Sequence, residues 1–264
     1  MSKEPLIAKN RRILIGVIHL LPLPGSPRWA GEMDKIVRSA VADARAYEEG
    51  GADTLIIENF GDIPFTKSAV PPETVAAMAV AGAAVRSAVG LPIGFNVLRN
   101  DGHSALALCA ACGGDFIRVN VLSGAMVTDQ GVIEGEAFSL LRKQRELAPH
   151  VKILADVLVK HAAPLGDLTI EIAARDTAER GLADALIVSG TGTGVATEID
   201  DVRRVRAACP AATILLGSGV TTSNAASYLE FADGFIVGTS TKRGGDLSKP
   251  VDVKRVAALR AAMN

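Results

Sequence analysis

Aromatic side chains are scarce in this sequence: seven Phe, two Tyr and one Trp make up 4% of 264 residues. So few rings leave little with which to build a base-stacking platform. Neither sign of charge dominates either. With 28 basic against 29 acidic side chains the formal net charge is -1. That gives no electrostatic footprint for nucleic acid and no polybasic face for an anionic membrane. Cysteine is limited to Cys109, Cys112 and Cys209, too few and odd in number for a disulfide framework. Long apolar runs are missing as well. Ile13 to Gly25 is interrupted by His19 and two prolines, and Ala76 to Val85 is half the length of about 20 residues needed to span a bilayer. The opening Met1-Ser2-Lys3-Glu4-Pro5 lacks the apolar core and cleavage pattern of a secretory signal. A soluble protein of the reducing cytoplasm is therefore expected.

What is present is apolar material in a steady rhythm. Hydrophobic residues form 48% of the chain, ample for a large core. Short β-branched runs alternate with longer Ala-rich segments of helical period. Strands are predicted at 13–18, 54–58, 93–97, 116–121, 152–157, 185–188, 212–216 and 234–237. Helices are predicted at 34–49, 72–89, 104–112, 136–147, 168–180, 198–208, 223–230 and 251–263. The stretch Gly124 to Glu134 is turn-rich and reads as an excursion. Runs this continuously apolar suit parallel strands covered by helices on the outside.

Eight β/α pairs in this length predict an α/β protein, a single (β/α)8 TIM barrel domain spanning residues 1–264. A doubly wound sheet would announce itself by G-x-G-x-x-G after the first strand, where this chain has Leu20-Leu21-Pro22-Leu23-Pro24-Gly25. No linker, charge block or low-complexity tract divides the sequence.

In a barrel, chemistry gathers where the strands end. The residues there are His19; Glu58 and Asn59; Asn96 and Arg99; Arg118 and Asn120; Asp156 with Lys160 and His161; Ser189; Ser218; and Thr239 with Ser240. Polar groups buried without partners cost a few kcal/mol each, so their convergence predicts a ligand site. Two glycine turns sharpen the reading. Gly217-Ser218-Gly219 leaves the seventh strand and Gly238-Thr239-Ser240 leaves the eighth, where barrels often bind phosphate on exposed backbone N–H groups. The other reading is that these glycines only make tight turns. Ser189-Gly190-Thr191-Gly192-Thr193-Gly194 after the sixth strand is a third glycine loop, read as a ligand-contacting rim segment or a plain connector.

Asp156, Lys160 and His161 form the densest ionisable cluster, able to divide proton transfers between an acid, a base and a stabilising charge. The lysine could also form a Schiff base if burial lowered its pKa. Asp156 could instead serve only to pair Arg118 or Lys160. Glu58 is the second carboxylate, and His19 reads equally as ligand, acid or satisfied core histidine. The expected catalytic set is Asp156, Glu58, Lys160 and His19. Substrate binding falls to Asn59, Asn96, Arg118, Asn120, His161, Ser189 and Thr191, and phosphate to the two glycine turns. Metal is not expected, since no H-x-H or H-E-x-x-H spacing occurs and Cys109-Ala110-Ala111-Cys112 falls inside a predicted helix with no second pair. No cofactor is expected.

Gly16-Val17-Ile18-His19-Leu20-Leu21-Pro22-Leu23-Pro24-Gly25-Ser26-Pro27 and Glu58-Asn59-Phe60-Gly61-Asp62-Ile63-Pro64-Phe65 resemble the opening signature of the BtpA/SgcQ family. The likeness continues through Asn96-Val97-Leu98-Arg99-Asn100-Asp101, Phe116 to Asn120, Asp156 to His161, Val188 to Gly194 and Gly217 to Val220, so it covers nearly the whole chain. The resemblance implies a barrel with an enzyme-like mouth, some members lying beside sugar-metabolism genes. Its cyanobacterial namesake is associated with photosystem I biogenesis. Two classes of function follow. One is an enzyme acting on a small, phosphorylated, sugar-like metabolite as an isomerase, epimerase, lyase or glycosyl-bond hydrolase. The other is an assembly factor using the outer surface. The converged rim favours the enzyme, with a small-molecule partner, no nucleic acid, and a homo-oligomer left open.

Overall fold

The computed structural model describes residues 12–263; the opening segment read as lacking a leader lies outside them. Eight parallel strands close into a barrel: β1 (Ile13–His19), β2 (Thr54–Glu58), β3 (Ile93–Asn96), β4 (Phe116–Val119), β7 (Lys152–Val157), β9 (Ala185–Val188), β10 (Ile214–Leu216) and β11 (Gly234–Val237). The strands follow one another around the ring in chain order, with β11 pairing back onto β1. Eight α-helices among the described residues alternate with them: α1 (Met33–Glu49), α2 (Pro72–Ala88), α3 (Gly102–Cys112), α4 (Ala137–Leu147), α5 (Ile170–Arg175), α6 (Ile199–Ala208), α7 (Ala225–Tyr228) and α8 (Val253–Ala261). The expected TIM barrel is the observed fold.

The alternation of side chains along a strand explains both cores. Residues such as Leu14, Ile18, Leu55, Ile57, Ile117 and Ile153 face outward into the layer shared with the helices. Their neighbours Ile15, Val17, Ile56, Phe116, Leu154 and Ile187 face inward and fill the barrel. Gly94 keeps that filling possible, since a Cβ there would stand 2.5 Å from the Phe116 ring. One further step of two along each strand brings the inward face to His19, Glu58, Arg118, Asp156 and Ser189. Register agrees: His19 lies opposite Glu58, and Glu58 opposite Asn96. Apolar packing thus plugs the barrel below and polar side chains take over at its mouth.

Several segments differ from expectation: the strands expected at 116–121 and 212–216 stop at Phe116–Val119 and Ile214–Leu216, and the helix expected at 223–230 shortens to Ala225–Tyr228. The excursion after β4 is an ordered antiparallel hairpin, β5 (Ala125–Thr128) and β6 (Gly131–Glu134), joined by β8 (Ala162–Pro164). Met126 and Ile133 pack with Val121 and Val159 in a small core of their own, and the turn holds Gly131 at φ 103°, which glycine adopts without steric cost. The helix predicted to begin at Leu168 instead begins after Thr169, whose hydroxyl accepts the Ile172 N–H, and residues 176–180 wind as a π-turn. No described helix is long and apolar enough to cross a membrane.

Candidate active site

The barrel mouth holds a cleft with two lobes meeting at His19, Glu58, Arg118, Lys160 and Thr193. The first, about 230 Å³, lies between the loops after β10 and β11. The second, about 400 Å³, is walled by Phe60, Ile63 and Phe65 on one side and by Asn96, Arg99 and Asn120 on another, with Asp129 and Gln130 of the hairpin turn at its edge.

Asp156 is the organising anion beneath this cleft. Arg118 reaches it through two parallel bonds, Nε to Oδ2 and Nη2 to Oδ1, each 2.9 Å. Asn120 donates to Oδ2 at 3.0 Å and Ser189 to Oδ1 at 3.2 Å. The Asp156 side chain has no exposed area and does not line either lobe. Expected at the centre of catalysis, Asp156 instead has its carboxylate bonded by four donors beneath both lobes. Asn96 extends the network by donating to the Arg118 carbonyl and to Asn120 Oδ1, both at 3.1 Å.

Glu58 is the carboxylate that faces the cleft. Its Oε1 stands 3.5 Å from Arg118 Nη1 and its Oε2 4.0 Å from His19 Nε2, yet Oε1 makes no hydrogen bond. Burial raises its pKa, against the pull of Arg118 and Lys160. His19 moves the other way, down to about 3, because burial and then the Lys242, Lys160 and Arg118 charges disfavour the imidazolium. It is a neutral ring at physiological pH. Lys160 is brought down to about 8 by burial and the neighbouring Arg118. A carboxyl inclined to keep its proton beside an amine inclined to lose one is the arrangement that general acid–base chemistry uses.

The buried side-chain atoms without partners are informative. Among the described residues they are His19 Nδ1, Glu58 Oε1, Asn96 Oδ1, Arg99 Nε and Gln130 Oε1. All belong to residues lining the cleft. Native proteins rarely leave such groups unpaired, because each costs about 1–3 kcal/mol. Their concentration at one place marks where a polar ligand would complete the bonding.

The first lobe offers backbone donors. No protein acceptor among the described residues takes the N–H groups of Ser218, Gly219 and Val220, or those of Thr239 and Ser240. Gly219, at φ 67°, could not carry a side chain, since a Cβ would meet Ala196 at 2.3 Å. The Ser218 hydroxyl is already engaged, accepting the Gly190 N–H and donating to the Val195 carbonyl. Its contribution to the lobe is its backbone. The β11 loop is tied down by a buried Lys242–Asp43 ion pair and by Tyr47, whose hydroxyl bonds Thr241 at 2.7 Å. Arg255, arriving from α8, completes the wall and donates to the Ser240 carbonyl.

Other expected ligand contacts fall elsewhere. Asn59 accepts the Leu98 N–H at 2.7 Å and donates to Asp62, so it braces the loops around the second lobe. Ser189 serves Asp156, and Thr191 borders a separate cavity behind Lys160. Thr193 takes the place expected of Thr191 and clasps His161, its N–H 3.2 Å from the imidazole Nε2. Arg255, Phe60, Phe65, Asp129 and Gln130 were not among the expected contacts. The first comes from a helix and the others from loops of unforeseen path, so strand-end reading had no signal for them. Among the described residues no three His, Cys, Asp or Glu side chains gather as a metal site would need, and Cys109 and Cys112 are buried on α3.

By fold the chain is similar to tryptophan synthase from M. tuberculosis, with TM-score 0.59 and 22% identity over 96% of this chain and 93% of that one. It is likewise similar to orotidine 5'-phosphate decarboxylase from Pyrococcus horikoshii, with TM-score 0.57 and 13% identity over 95% and 99%. Identities this low show the fold alone. In sequence it is similar to the Photosystem I biogenesis protein BtpA of Synechocystis sp., 47% identical over 95% of this chain and 87% of that protein. An uncharacterized protein of Thermococcus kodakarensis is 46% identical over 95% of this chain and 94% of its own. Residues 10–264 match the model of the BtpA family, and the chain belongs to that family.

Proposed function

We propose that the protein is an enzyme acting on a small, phosphorylated, sugar-like metabolite, with an isomerase, epimerase, lyase or glycosyl-bond hydrolase type of chemistry. The observation that carries this reading is the gathering of unpaired buried polar atoms around one cleft. The phosphate sits in the first lobe on the free N–H groups of 218–220 and 239–240, with Arg255 opposite. Glycine-lined backbone donors suit an anion because they approach it closely and need no reorganisation. The rest of the substrate extends into the second lobe, where Asn96, Arg99 and Asn120 orient hydroxyl groups.

Glu58 and Lys160 handle protons at the junction of the lobes. Arg118, held by Asp156, supplies positive charge to a developing oxyanion, and neutral His19 offers a hydrogen bond from Nδ1 or Nε2. Asp156 is a positioning residue in this scheme. The solved barrels named above include one whose name specifies a phosphorylated compound, orotidine 5'-phosphate, in agreement with the reading. The assembly-factor alternative draws on the name of the Synechocystis relative; a polar cleft with unpaired groups has no part in that role.

A thermal-shift series comparing sugar phosphates with their unphosphorylated partners tests the proposal. Phosphorylated compounds should raise the melting temperature selectively, and Arg255→Gln should weaken that effect while leaving the apo protein within about 0.5 kcal/mol of native stability. Equal shifts from both sets of compounds would remove the phosphate lobe from the reading.

A further inference from the structure

Lys160 is held in an unusual way. It sits between two non-glycine residues in the left-handed region, Leu158 at φ 53° and His161 at φ 57°. Such positions persist only where surrounding contacts enforce them. Here Arg99 grips the Lys160 carbonyl, and the His161 N–H donates to the Thr191 carbonyl at 3.2 Å. This segment places the lysine on the wall of both lobes at once. No ion pair or hydrogen bond occupies its ammonium group among the described residues, although Glu58 lines the same two lobes. A lysine meant for structure would be expected to end on a carboxylate, as Lys242 does on Asp43.

We infer that Lys160 is a covalent nucleophile that forms a Schiff base with the carbonyl carbon of a phosphorylated aldehyde or ketone, an inference that rests on the substrate reading above. The neutral amine adds to the carbonyl carbon, and a proton passes from nitrogen to oxygen to give a carbinolamine. Protonated Glu58 then gives its proton to the carbinolamine hydroxyl, which leaves as water while the nitrogen lone pair forms the C=N bond. The product is a protonated imine facing a Glu58 carboxylate, so charge is balanced before and after the step. Burial and the Arg118 cation, which bring the amine down to about 8, supply the unprotonated form that attack requires. Burial, outweighing the pull of Arg118 and Lys160, keeps the Glu58 carboxyl protonated more readily than an exposed one. An iminium acts as an electron sink, so the committed chemistry becomes cleavage or proton transfer at the carbon beside the former carbonyl. That narrows the open classes to aldol-type lyases and isomerases.

The test treats the intact protein with pyridoxal 5'-phosphate or with the smaller dihydroxyacetone phosphate, traps imines with sodium borohydride and maps the modified peptides by mass spectrometry. Lys160 should be modified at least ~10-fold faster than other lysines, as its larger neutral fraction at pH 7 dictates. Inorganic phosphate should protect it. A correctly folded Lys160→Arg variant, checked by circular dichroism, should lose the fast adduct while still being stabilised by phosphate. Pyridoxal without its phosphate separates the two ideas: equally fast modification of Lys160 by it would sink the phosphate lobe and leave the nucleophile standing. If phosphate binds but neither phosphorylated carbonyl compound modifies Lys160 ahead of the surface lysines, the Schiff-base inference is overturned and the substrate reading survives.

Discussion

Arg118 and Asp156 lock together through a two-pronged contact at 2.9 Å on both arms, closed off from solvent at the base of the cleft. The third nitrogen of the same guanidinium is the one that reaches Glu58. One arginine therefore binds both oxygens of one carboxylate, with Asn120 and Ser189 donating to the same pair, and touches the other carboxylate only in part. Two acidic strand ends that look equivalent in the sequence acquire opposite characters through this single contact.

Asp156→Asn should act first on stability. Asparagine keeps the shape but leaves the Arg118 charge without its bidentate partner in a buried place, a loss of about 3–5 kcal/mol for broken pairs of this kind. Urea unfolding measures it. Unchanged stability together with abolished turnover would return Asp156 to a direct chemical role.

Glu58→Gln should do the reverse, costing little stability while lowering turnover of a phosphorylated substrate by ~100-fold or more, as expected for a lost acid–base group. The pH dependence carries a sign. The folded-state pKa of Glu58 lies above its ordinary value of 4.5. Between the two values the folded chain holds a proton that the unfolded chain has released, so native stability falls as pH rises through that window. The glutamine variant has no such group. Its urea midpoint should therefore gain on that of the native protein as pH climbs above 4.5.

For His19 the window lies on the acid side. The folded value of about 3 is below the ordinary 6.5, so between them the unfolded chain binds a proton that the folded chain refuses. Stability contributed by the neutral ring is present above 6.5 and is lost as pH falls toward 3, at up to about 1.4 kcal/mol per pH unit. Subtracting the pH profile of His19→Asn from that of the native protein isolates this slope. A flat difference below pH 6.5 would show that the ring is not held neutral.

Gly238→Ala tests how tightly the same ring is held. A Cβ at 238 would stand 2.5 Å from His19 Cε1, and Phe60 is packed against the ring with centroids 4.7 Å apart. The imidazole must shift, at a cost of about 1–3 kcal/mol for an overpacked contact. Chemical denaturation gives the loss, and sugar-phosphate thermal shifts should shrink along with it.

The barrel and much of its mouth were legible in the residue order. Strands at 54–58, 152–157, 185–188 and 234–237 have the expected bounds, because a parallel strand covered on both faces is a continuous apolar run and its ends are where that run stops. The period of two then carries the inward face from Val17 to His19, Ile56 to Glu58 and Leu154 to Asp156. These are local properties of the chain. The hairpin at 125–134 was not legible as such, since its third strand comes from 162–164 and its pairing depends on residues far away in sequence. The division of labour between Asp156 and Glu58, the exposure of Lys160 to both lobes and the arrival of Arg255 from the last helix have the same origin. Burial, pairing and pKa are sums over spatial neighbours, and those neighbours come together only when the eight strands close.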